Sequence, residues 1–469
     1  MKLFNTLTRQ VETFTPADKN NVRMYTCGLT VYSQPQIGNW VAYIYADVLN
    51  RTLEHSGFTV NRVQNITDVG HLVSDDDSGE DKMQKGARQE GKTAWEVADK
   101  YIAIADDEAY NQLGLLRPSK LVRATDLIPE QIAFVEELES KGYTYTIPDE
   151  GIYFDTSKLD DYGKLAKLDI EGLQAGARVD VTGKRNITDF ALWKFSPKDE
   201  QRDMEWDSKW GKGFPGWHLE CSVIARENLG DQLDLHTGGI DHIPVHHTNE
   251  IAQTESVTGK QFVRHWFHNN FLKVDGTKLA KSLGNSYSLA DIKQKGFDLD
   301  AFKLLVLSSH YRSEGNFTWE ILEATQNRLN KWRTVVDLRW QTTETPDENS
   351  SSHGIMRADQ FEEELLAFLQ DDLNTPEVLA LIDKALDGAA QNLCSACLDS
   401  IVSDIRSYLG VDLLAGRSDI SDEQKTLLKK RQQARDAKDW TRSDEIRDQL
   451  ESDGITIRDT DQGQVWSRL

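Results

Sequence analysis

The sequence predicts an α/β protein: a parallel-sheet core with an inserted domain, followed by an α-helical region and a small C-terminal domain. Three observations predict it. Val22 to Val31 (VRMYTCGLTV) is an apolar, β-branched run that reads as a buried strand. A helical stretch opening at Ile37-Gly38 and closing on Gly57 follows, then a second strand-like run, Phe58 to Ile66. Strand, helix and strand make a βαβ unit, the start of a parallel sheet. Finally, the periodicity turns helical after about Trp319 and stays so.

The remaining elements follow in order. Asp75 to Asp81 (DDDSGED) is an acidic, turn-rich loop, and residues 92–140 are mostly helical in period. Residues 142–215 are turn-rich with short strand signals, as an insertion would be. Strand and helix patterns return near Leu233 and run to about Leu307. Residues 320–340 and 360–409 are helical in period, separated by a polar linker, TTETPDENSSSHG, at 342–354. Glu423 to Glu451 reads as one or two charged helices, and the tail GITIRDTDQGQVWSRL as a small hairpin.

Composition excludes several classes. With 77 acidic against 54 basic residues, the 469-residue chain has a formal charge of −23, which rules out a protein-wide basic coat but not a local basic patch. The opening MKLFNTLTRQ has no apolar h-region and predicts no signal peptide. No stretch approaches the roughly 18 apolar residues of a membrane span. Four cysteines do not make a disulfide scaffold, and such scarcity predicts a reduced, cytoplasmic protein.

The densest chemical signal is Asp241-His242-Ile243-Pro244-Val245-His246-His247-Thr248-Asn249-Glu250. Pro244 suits the first turn of a helix. On that helix His246 and Glu250 are four apart and share a face, a pair able to grip zinc. His242 with His246, or His247 with Glu250, would share a face too. A polar, solvated helix start is the bland alternative. Cys27, just past the core of the first strand, and Cys221, in Gly216-Trp217-His218-Leu219-Glu220-Cys221, add thiols that only the fold can bring to this segment. A lone buried cysteine is more often a small core residue. A competing signal, Cys394-Ser395-Ala396-Cys397, lacks a second ligand pair and lies in a helical pattern.

Three segments suit phosphate or nucleotide. Gln36-Ile37-Gly38-Asn39 lies at a strand-to-helix turn, where glycine permits close approach and the helix N-terminus attracts anions. Thr237-Gly238-Gly239-Ile240-Asp241 is a second glycine turn, with an acid available for a ribose hydroxyl. Lys278-Leu279-Ala280-Lys281-Ser282-Leu283-Gly284-Asn285 is a short basic loop whose two lysines could clamp a polyphosphate. Each has a bland reading as an ordinary turn or an exposed loop.

Taken in order, the segments resemble the cysteinyl-tRNA synthetases, a class I aminoacyl-tRNA synthetase family. The likeness runs from LFNTLTRQ to DTDQGQVW. It includes Tyr25-Thr26-Cys27-Gly28, Asn65-Ile66-Thr67-Asp68, Ala175-Gly176-Ala177-Arg178-Val179, the Gly216–Cys221 and His246–Glu250 segments, and His310-Tyr311-Arg312-Ser313. The resemblance implies a Rossmann-type class I synthetase core with an inserted domain, then an α-helical bundle and a small C-terminal domain. It implies Cys27, Cys221, His246 and Glu250 as ligands of one zinc that reads the substrate thiolate. Gly28, Thr67 and Trp217 then belong to the amino-acid pocket. Lys278, Lys281 and Ser282 belong to pyrophosphate, Gln36, Gly38 and Asn39 to the ATP phosphates, and Gly238, Gly239 and Asp241 to adenosine, with Mg2+ accompanying ATP. Zinc suits the task, because cysteine and serine are nearly isosteric and differ mainly in the softness of sulfur. The chain departs from the family pattern at Gln36, where histidine is usual, and at Leu279-Ala280 between the lysines.

The implied domains are 1–95 and 214–270 for the two halves of the core, with 96–213 as the insertion. Residues 271–320 form a stem-contact region with the lysine loop, 321–409 a helical bundle, and 410–469 a small anticodon-binding domain. From Lys425 to Arg447 eight Lys/Arg face four Asp/Glu, a net +4 in an acidic protein. Trp440 and Trp466 could stack on unpaired bases, with a core position the alternative for Trp440. The expected partners are tRNA(Cys), cysteine and ATP, for a monomer with no membrane contact. The rivals are a catalytically silent tRNA- or zinc-binding paralogue and a tRNA-independent cysteine ligase, which would lack the anticodon region. A third is a metalloprotease on His246, His247 and Glu250, whose residue order does not match that chemistry.

Overall fold

The structure, a computed structural model, describes all residues except 71–81, 169–182, 198–201, 279–284, 342–355, 393–394, 461–462 and 469. The acidic loop at 75–81, the Ala175–Val179 segment, Leu279 to Gly284 of the lysine loop, the 342–354 linker and Cys394 lie outside the described residues. Two compact units emerge. The first comprises residues 1–292 and 311–316, the second 293–310 and 317–469.

The first unit opens with a hairpin of β1 (Lys2–Asn5) and β2 (Gln10–Thr13). The βαβ unit follows as β3 (Val22–Thr26), α1 (Ile37–His55) and β4 (Val60–Ile66). Strand β3 is shorter than the apolar run, so Cys27 to Val31 leaves the ladder and is free to shape a site. After α2 (Lys82–Glu90) and α3 (Ala94–Asp106) comes a π-turn, Asp107–Gln112, then β5 (Lys120–Arg123). This strand corrects the helical reading of 92–140. It is four residues long, two of them charged, and pairs only with β4, too short a segment to show a period. Helix α4 (Ile128–Ser140) leads to an antiparallel sheet of β6 (Thr144–Ile147), β7 (Gly151–Phe154), β8 (Phe190–Phe195) and β9 (Gly213–Pro215). The chain returns through α5 (Trp217–Leu229), β10 (Leu233–Gly239), α6 (His246–Thr258) and β11 (Val263–Asn269).

The central sheet is wholly parallel, in the order β11-β10-β3-β4-β5. From β3 the chain winds outward one way through β4 and β5, and from β10 the other way to β11. The β3/β10 junction is therefore the topological switch point, and the crevice beyond the C-terminal ends of these strands is the default ligand site of an open α/β sheet. The strands mix apolar and polar residues: Val22, Met24, Tyr25, Leu233 and Leu235 are fully buried, and the polar Arg62, Gln64 and Asp234 are buried beside them. Pro244 sits two residues before α6 rather than in its first turn, since a short 3-10 turn, Ile240–His242, intervenes. A hairpin of β12 (Leu272–Val274) and β13 (Thr277–Lys278) turns on Asp275-Gly276, both at positive φ, and carries the backbone of Lys278.

The second unit is helical: α7 (Leu299–Leu307), α8 (Trp319–Val336), α9 (Ala358–Gln370), α10 (Thr375–Asn392) and α11 (Ser395–Leu409). Cys397 lies on α11. The C-terminal module packs α12 (Asp422–Asp436) and α13 (Trp440–Ser452) on a hairpin of β14 (Ile455–Thr460) and β15 (Gly463–Arg468) around Ile420, Ile446, Leu450, Ile455 and Trp466. This corrects the stacking role suggested for Trp466, which is only 4% exposed and stacks on Trp340 at 6.3 Å. Trp440, at 57% exposed, remains free to meet a partner.

Candidate active site

A cleft of about 480 Å³ opens at the switch point. Cys27, Gly28, Thr67, Trp217, Cys221 and His246 line it, together with Gln36, Gly38 and Asn39 and with Gly238, Gly239 and Asp241. The sheet order explains the convergence. Cys27 follows β3 and donates its N–H to the carbonyl of Thr237 on β10, at 3.3 Å. Cys221 lies on α5 and His246 begins α6, the helices that flank β10 in sequence.

Cys27, Cys221, His246 and Glu250 offer ligand atoms all within 4.8 Å of one another. A second quartet, Cys27, His236, His247 and Glu250, meets the same criterion. Hydrogen bonding separates them. His236 Nε2 is 2.9 Å from Glu250 Oε2, and His247 engages Cys27 Sγ through Nε2 at 3.2 Å and His268 through Nδ1 at 2.7 Å. These imidazoles are therefore already committed and orient the ligands, as the outer layer of a metal site does. Of the two quartets, the first puts three members on the cleft wall, and neither His236 nor His247 lines the cleft. Glu250 Oε1 lies 2.9 Å from His246 Nε2, which holds two of the four ligand atoms side by side. Thiol, imidazole and carboxylate are the donors zinc takes, and the mutual distances of these four suit a single ion.

The electrostatics agree. The hydrogen bond from Cys27 holds the Cys221 thiol down, at about 6, while burial pushes Cys27 well up. Burial disfavours a charged His246, but Cys221 and Glu250 outweigh it and lift it to about 10. Burial alone would raise Glu250, whereas His236 and His246 hold it at about 2. The surroundings thus favour an anionic Cys221 sulfur and Glu250 carboxylate, the forms in which both ligate a metal, whereas a ligating His246 must give up its proton.

Gly28 and Thr67 are tied together by Asn65, which sequence reasoning passed over although it belongs to the quoted Asn65–Asp68 motif. Its Oδ1 accepts the N–H of Gly28 at 2.7 Å and its Nδ2 donates to Thr67 Oγ1 at 2.9 Å. A Cβ at Gly28 would stand 1.8 Å from the carbonyl oxygen of Asn65, so only glycine fits. His218 Nδ1 meets His246 Nδ1 at 3.0 Å, and Trp217 lies over His246 with centroids 4.6 Å apart. His236 was also missed. A histidine within a strand carries no local signal of its partner, Glu250, fourteen residues on.

Also lining the cleft, Asn39 caps α1, its Oδ1 accepting the N–H of Gln36 at 2.9 Å. What Asn39 can offer an anion is therefore its amide NH2. The N–H of Ile37 is taken by the carbonyl of Tyr287 at 2.8 Å, which ties the chain just beyond the lysine loop to the start of α1. Gly238 leaves the space filled by the rings of His242 and His247, and the Asp241 carboxylate folds over Gly239. Lys281 and Ser282 lie outside the described residues, and Lys278 is described only as part of β13.

Two family models match the chain. The class I (C) tRNA synthetase catalytic-domain family matches residues 13–327, and the cysteinyl-tRNA ligase anticodon-binding domain family matches 417–466. A cysteine–tRNA ligase of Burkholderia lata is 47% identical over 99% of this chain and 96% of its own length. The chain belongs to the cysteinyl-tRNA synthetase family. Cysteine–tRNA ligases of Novosphingobium aromaticivorans and Treponema denticola are 41% and 38% identical, over 98% and 100% of this chain and 95% and 100% of their own. A solved methionyl-tRNA synthetase of Mycobacterium tuberculosis shares the fold of the synthetase, with a TM-score of 0.57 at 13% identity, covering 83% of this chain and 90% of its own. No helix among the described residues of the synthetase is long and apolar enough to cross a membrane.

Proposed function

We propose that this synthetase joins cysteine to tRNA(Cys) in two steps within the one cleft. A carboxylate oxygen of cysteine attacks the α-phosphorus of ATP, forming cysteinyl-adenylate and releasing pyrophosphate. The terminal ribose hydroxyl of tRNA(Cys) then takes the cysteinyl group and AMP leaves. The observation that carries the reading is the single cleft that joins a thiol–imidazole–carboxylate set to a glycine-gated helix N-terminus.

Cys27, Cys221, His246 and Glu250 would hold zinc. When bound, zinc supplies a soft Lewis-acid position that a thiolate fills far better than a hydroxyl. Gly28, Thr67 and Trp217 border the amino acid, with Asn65 fixing the first two. Gln36, Gly38 and Asn39 meet the ATP phosphates at the start of α1, where N–H groups and the helix dipole favour anions. Gly238, Gly239 and Asp241 border adenosine. Lys278, Lys281 and Ser282 stabilise the pyrophosphate that leaves with Mg2+. Such chemistry needs positioning and charge stabilisation, not a protein nucleophile.

For the tRNA, Lys429, Lys430 and Trp440 are exposed on the C-terminal module and suit an anticodon loop through phosphate contact and base stacking. We assign 1–95 and 214–270 to the core halves, 96–213 to the insertion, 271–320 to acceptor-stem contact, 321–409 to the bundle and 410–469 to anticodon binding, in a cytoplasmic monomer. Cysteine-dependent exchange of pyrophosphate into ATP tests the reading together with elemental analysis. We expect about one zinc per chain and cysteine preferred over serine by orders of magnitude. Serine activated nearly as well as cysteine, or zinc well below one per chain, would refute it.

A further inference from the structure

We propose that Glu108 is a positioning residue for adenylate formation, fixing the Gln36–Asn39 segment from outside the cleft. The inference rests on the reading above that this segment meets the ATP phosphates. Helix α3 is regular to Asp106 and then widens into the π-turn Asp107–Gln112, in which Leu113 donates its N–H to the carbonyl of Glu108 at 2.9 Å. Such turns are rare and are found chiefly where they serve a site. This one leaves Asp107 outside and turns Glu108 inward, to 4% exposure. Oε1 of Glu108 accepts Nε2–H of Gln34 at 2.5 Å, and Oε2 accepts Nε1–H of the fully buried Trp40 at 3.1 Å.

Those two donors bracket the signature. Gln34 lies two residues before Gln36, and Trp40 directly follows Asn39. A single carboxylate therefore pins the chain on both sides of the helix N-terminus, while the cap from Asn39 to Gln36 closes the segment on itself. Gln34, Gln36, Gly38 and Asn39 line the cleft and Glu108 does not, so any effect of Glu108 on substrate passes through them. Core satisfaction explains half of the arrangement, since a buried indole N–H needs an acceptor. It does not explain Gln34, which is half-buried on the cleft wall and has no need of a buried carboxylate. The signature also brings only neutral amides, Gln36 and Asn39, and neutral hydrogen bonds act through direction and distance. A segment with no full charge to offer depends most on being held in place.

The test uses the full chain in the exchange assay, normalised to folded protein by its zinc content. Glu108→Ala is expected to lower kcat/KM for ATP about tenfold, with KM for cysteine and zinc content changed less than twofold. Gln34→Ala, which leaves the Trp40 contact in place, should give a smaller loss in the same direction, and the double variant no more than Glu108→Ala alone, because that change already removes the Gln34 contact. Glu108→Gln keeps one acceptor oxygen and should fall between wild type and Glu108→Ala. Equal losses for ATP and cysteine, or losses that multiply in the double variant, would overturn the proposal and leave Glu108 as a partner of Trp40 alone. Should Glu108→Ala fail to fold, Gln34→Ala with Glu108→Gln carries the same test. Gln36→Ala separates the two readings. If it leaves kcat/KM for ATP unchanged, the nucleotide reading of the segment fails and this proposal with it. If it lowers that value while Glu108→Ala and Gln34→Ala do not, only the positioning role is refuted.

Discussion

Replacing Arg431 by methionine should loosen the C-terminal module without touching the catalytic chemistry. By sequence Arg431 sits in the basic run beside Lys429 and Lys430, as one more candidate for tRNA phosphate. In the structure its side chain is 0% exposed. Its guanidinium donates to both carboxylate oxygens of Asp459, at 2.8 and 2.9 Å, and to Gln464 Oε1 at 2.9 Å, and so binds α12 to β14 and β15. Breaking a buried ion pair typically costs about 3–5 kcal/mol, mostly through the charge left behind. Asp459 is not abandoned here, since Arg435 and Arg447 lie 3.0 and 3.4 Å from its Oδ2 and it is 29% exposed. The expected loss is therefore about 2–4 kcal/mol, with methionine keeping the apolar stem. Hydrogen exchange of peptides from residues 422–468 reads this locally. Amide opening in α12 and β14 should rise by about 30- to 1,000-fold, with the first unit unchanged. The pH dependence is fixed by sign. The hydrogen bond from Arg431, with Arg435 and Arg447, holds the Asp459 carboxyl below its usual range. Its contribution is thus present above an unfolded value of about 4 and is lost as pH falls through the lower folded one. The gap between wild type and variant should shrink below about pH 4. A change under about 1 kcal/mol, with tRNA affinity falling more than about tenfold, would refute the argument and make Arg431 a nucleic-acid contact.

Further outcomes follow from the same geometry. Gly28→Ala drives a Cβ into the Asn65 carbonyl and should raise KM for cysteine in the exchange assay about tenfold or more, with zinc retained. An unchanged KM would remove Asn65 and Thr67 from the amino-acid pocket. Gln36→His replaces a neutral donor by one that can carry charge and should speed single-turnover adenylate formation roughly fivefold, for a gain of about 1 kcal/mol. No gain would mean another group already holds that phosphate. Burial, with repulsion from Glu362, raises the Asp404 carboxyl to about 6, so the folded state holds its proton more tightly than the unfolded chain. That stability is present below about pH 4 and is lost as pH rises through about 6. Asp404→Asn should therefore stabilise the second unit at pH 7.5, by about 1 kcal/mol after allowance for the half-exposed site. Thermal melts at pH 7.5 and 4 check it, and equal stabilisation at both would count against the argument.

Local pattern made much of this protein legible. The runs at Val22 and Phe58 announce β3 and β4 through their β-branched and aromatic residues and the turn residues that bound them. Helix α1 begins at Ile37 and runs to His55, just before Gly57, as its start and stop residues require. The long helical period after Trp319 appears as α8 to α11, and the basic stretch as α12 and α13. The residue types of the site were legible as well, since thiol, imidazole and carboxylate state their chemistry wherever they occur. What sequence carries poorly is whatever depends on few residues or on distant partners. Strand β5 is too short to show a period, and the π-turn leaves no compositional mark. Trp440 and Trp466 look alike in sequence, as do Lys430 and Arg431, yet in each pair one is exposed and the other buried. Those choices are made by packing against Trp340 and Asp459. The sheet order is the largest such decision. Placing β10 beside β3 sets Cys27 against Cys221, His246 and Glu250, and it leaves His236 and His247 outside the cleft as supports. Helical and strand periods report only which face of an element is apolar, whereas the neighbour that covers it is chosen by the free energy of the whole core, and that is where the site was decided.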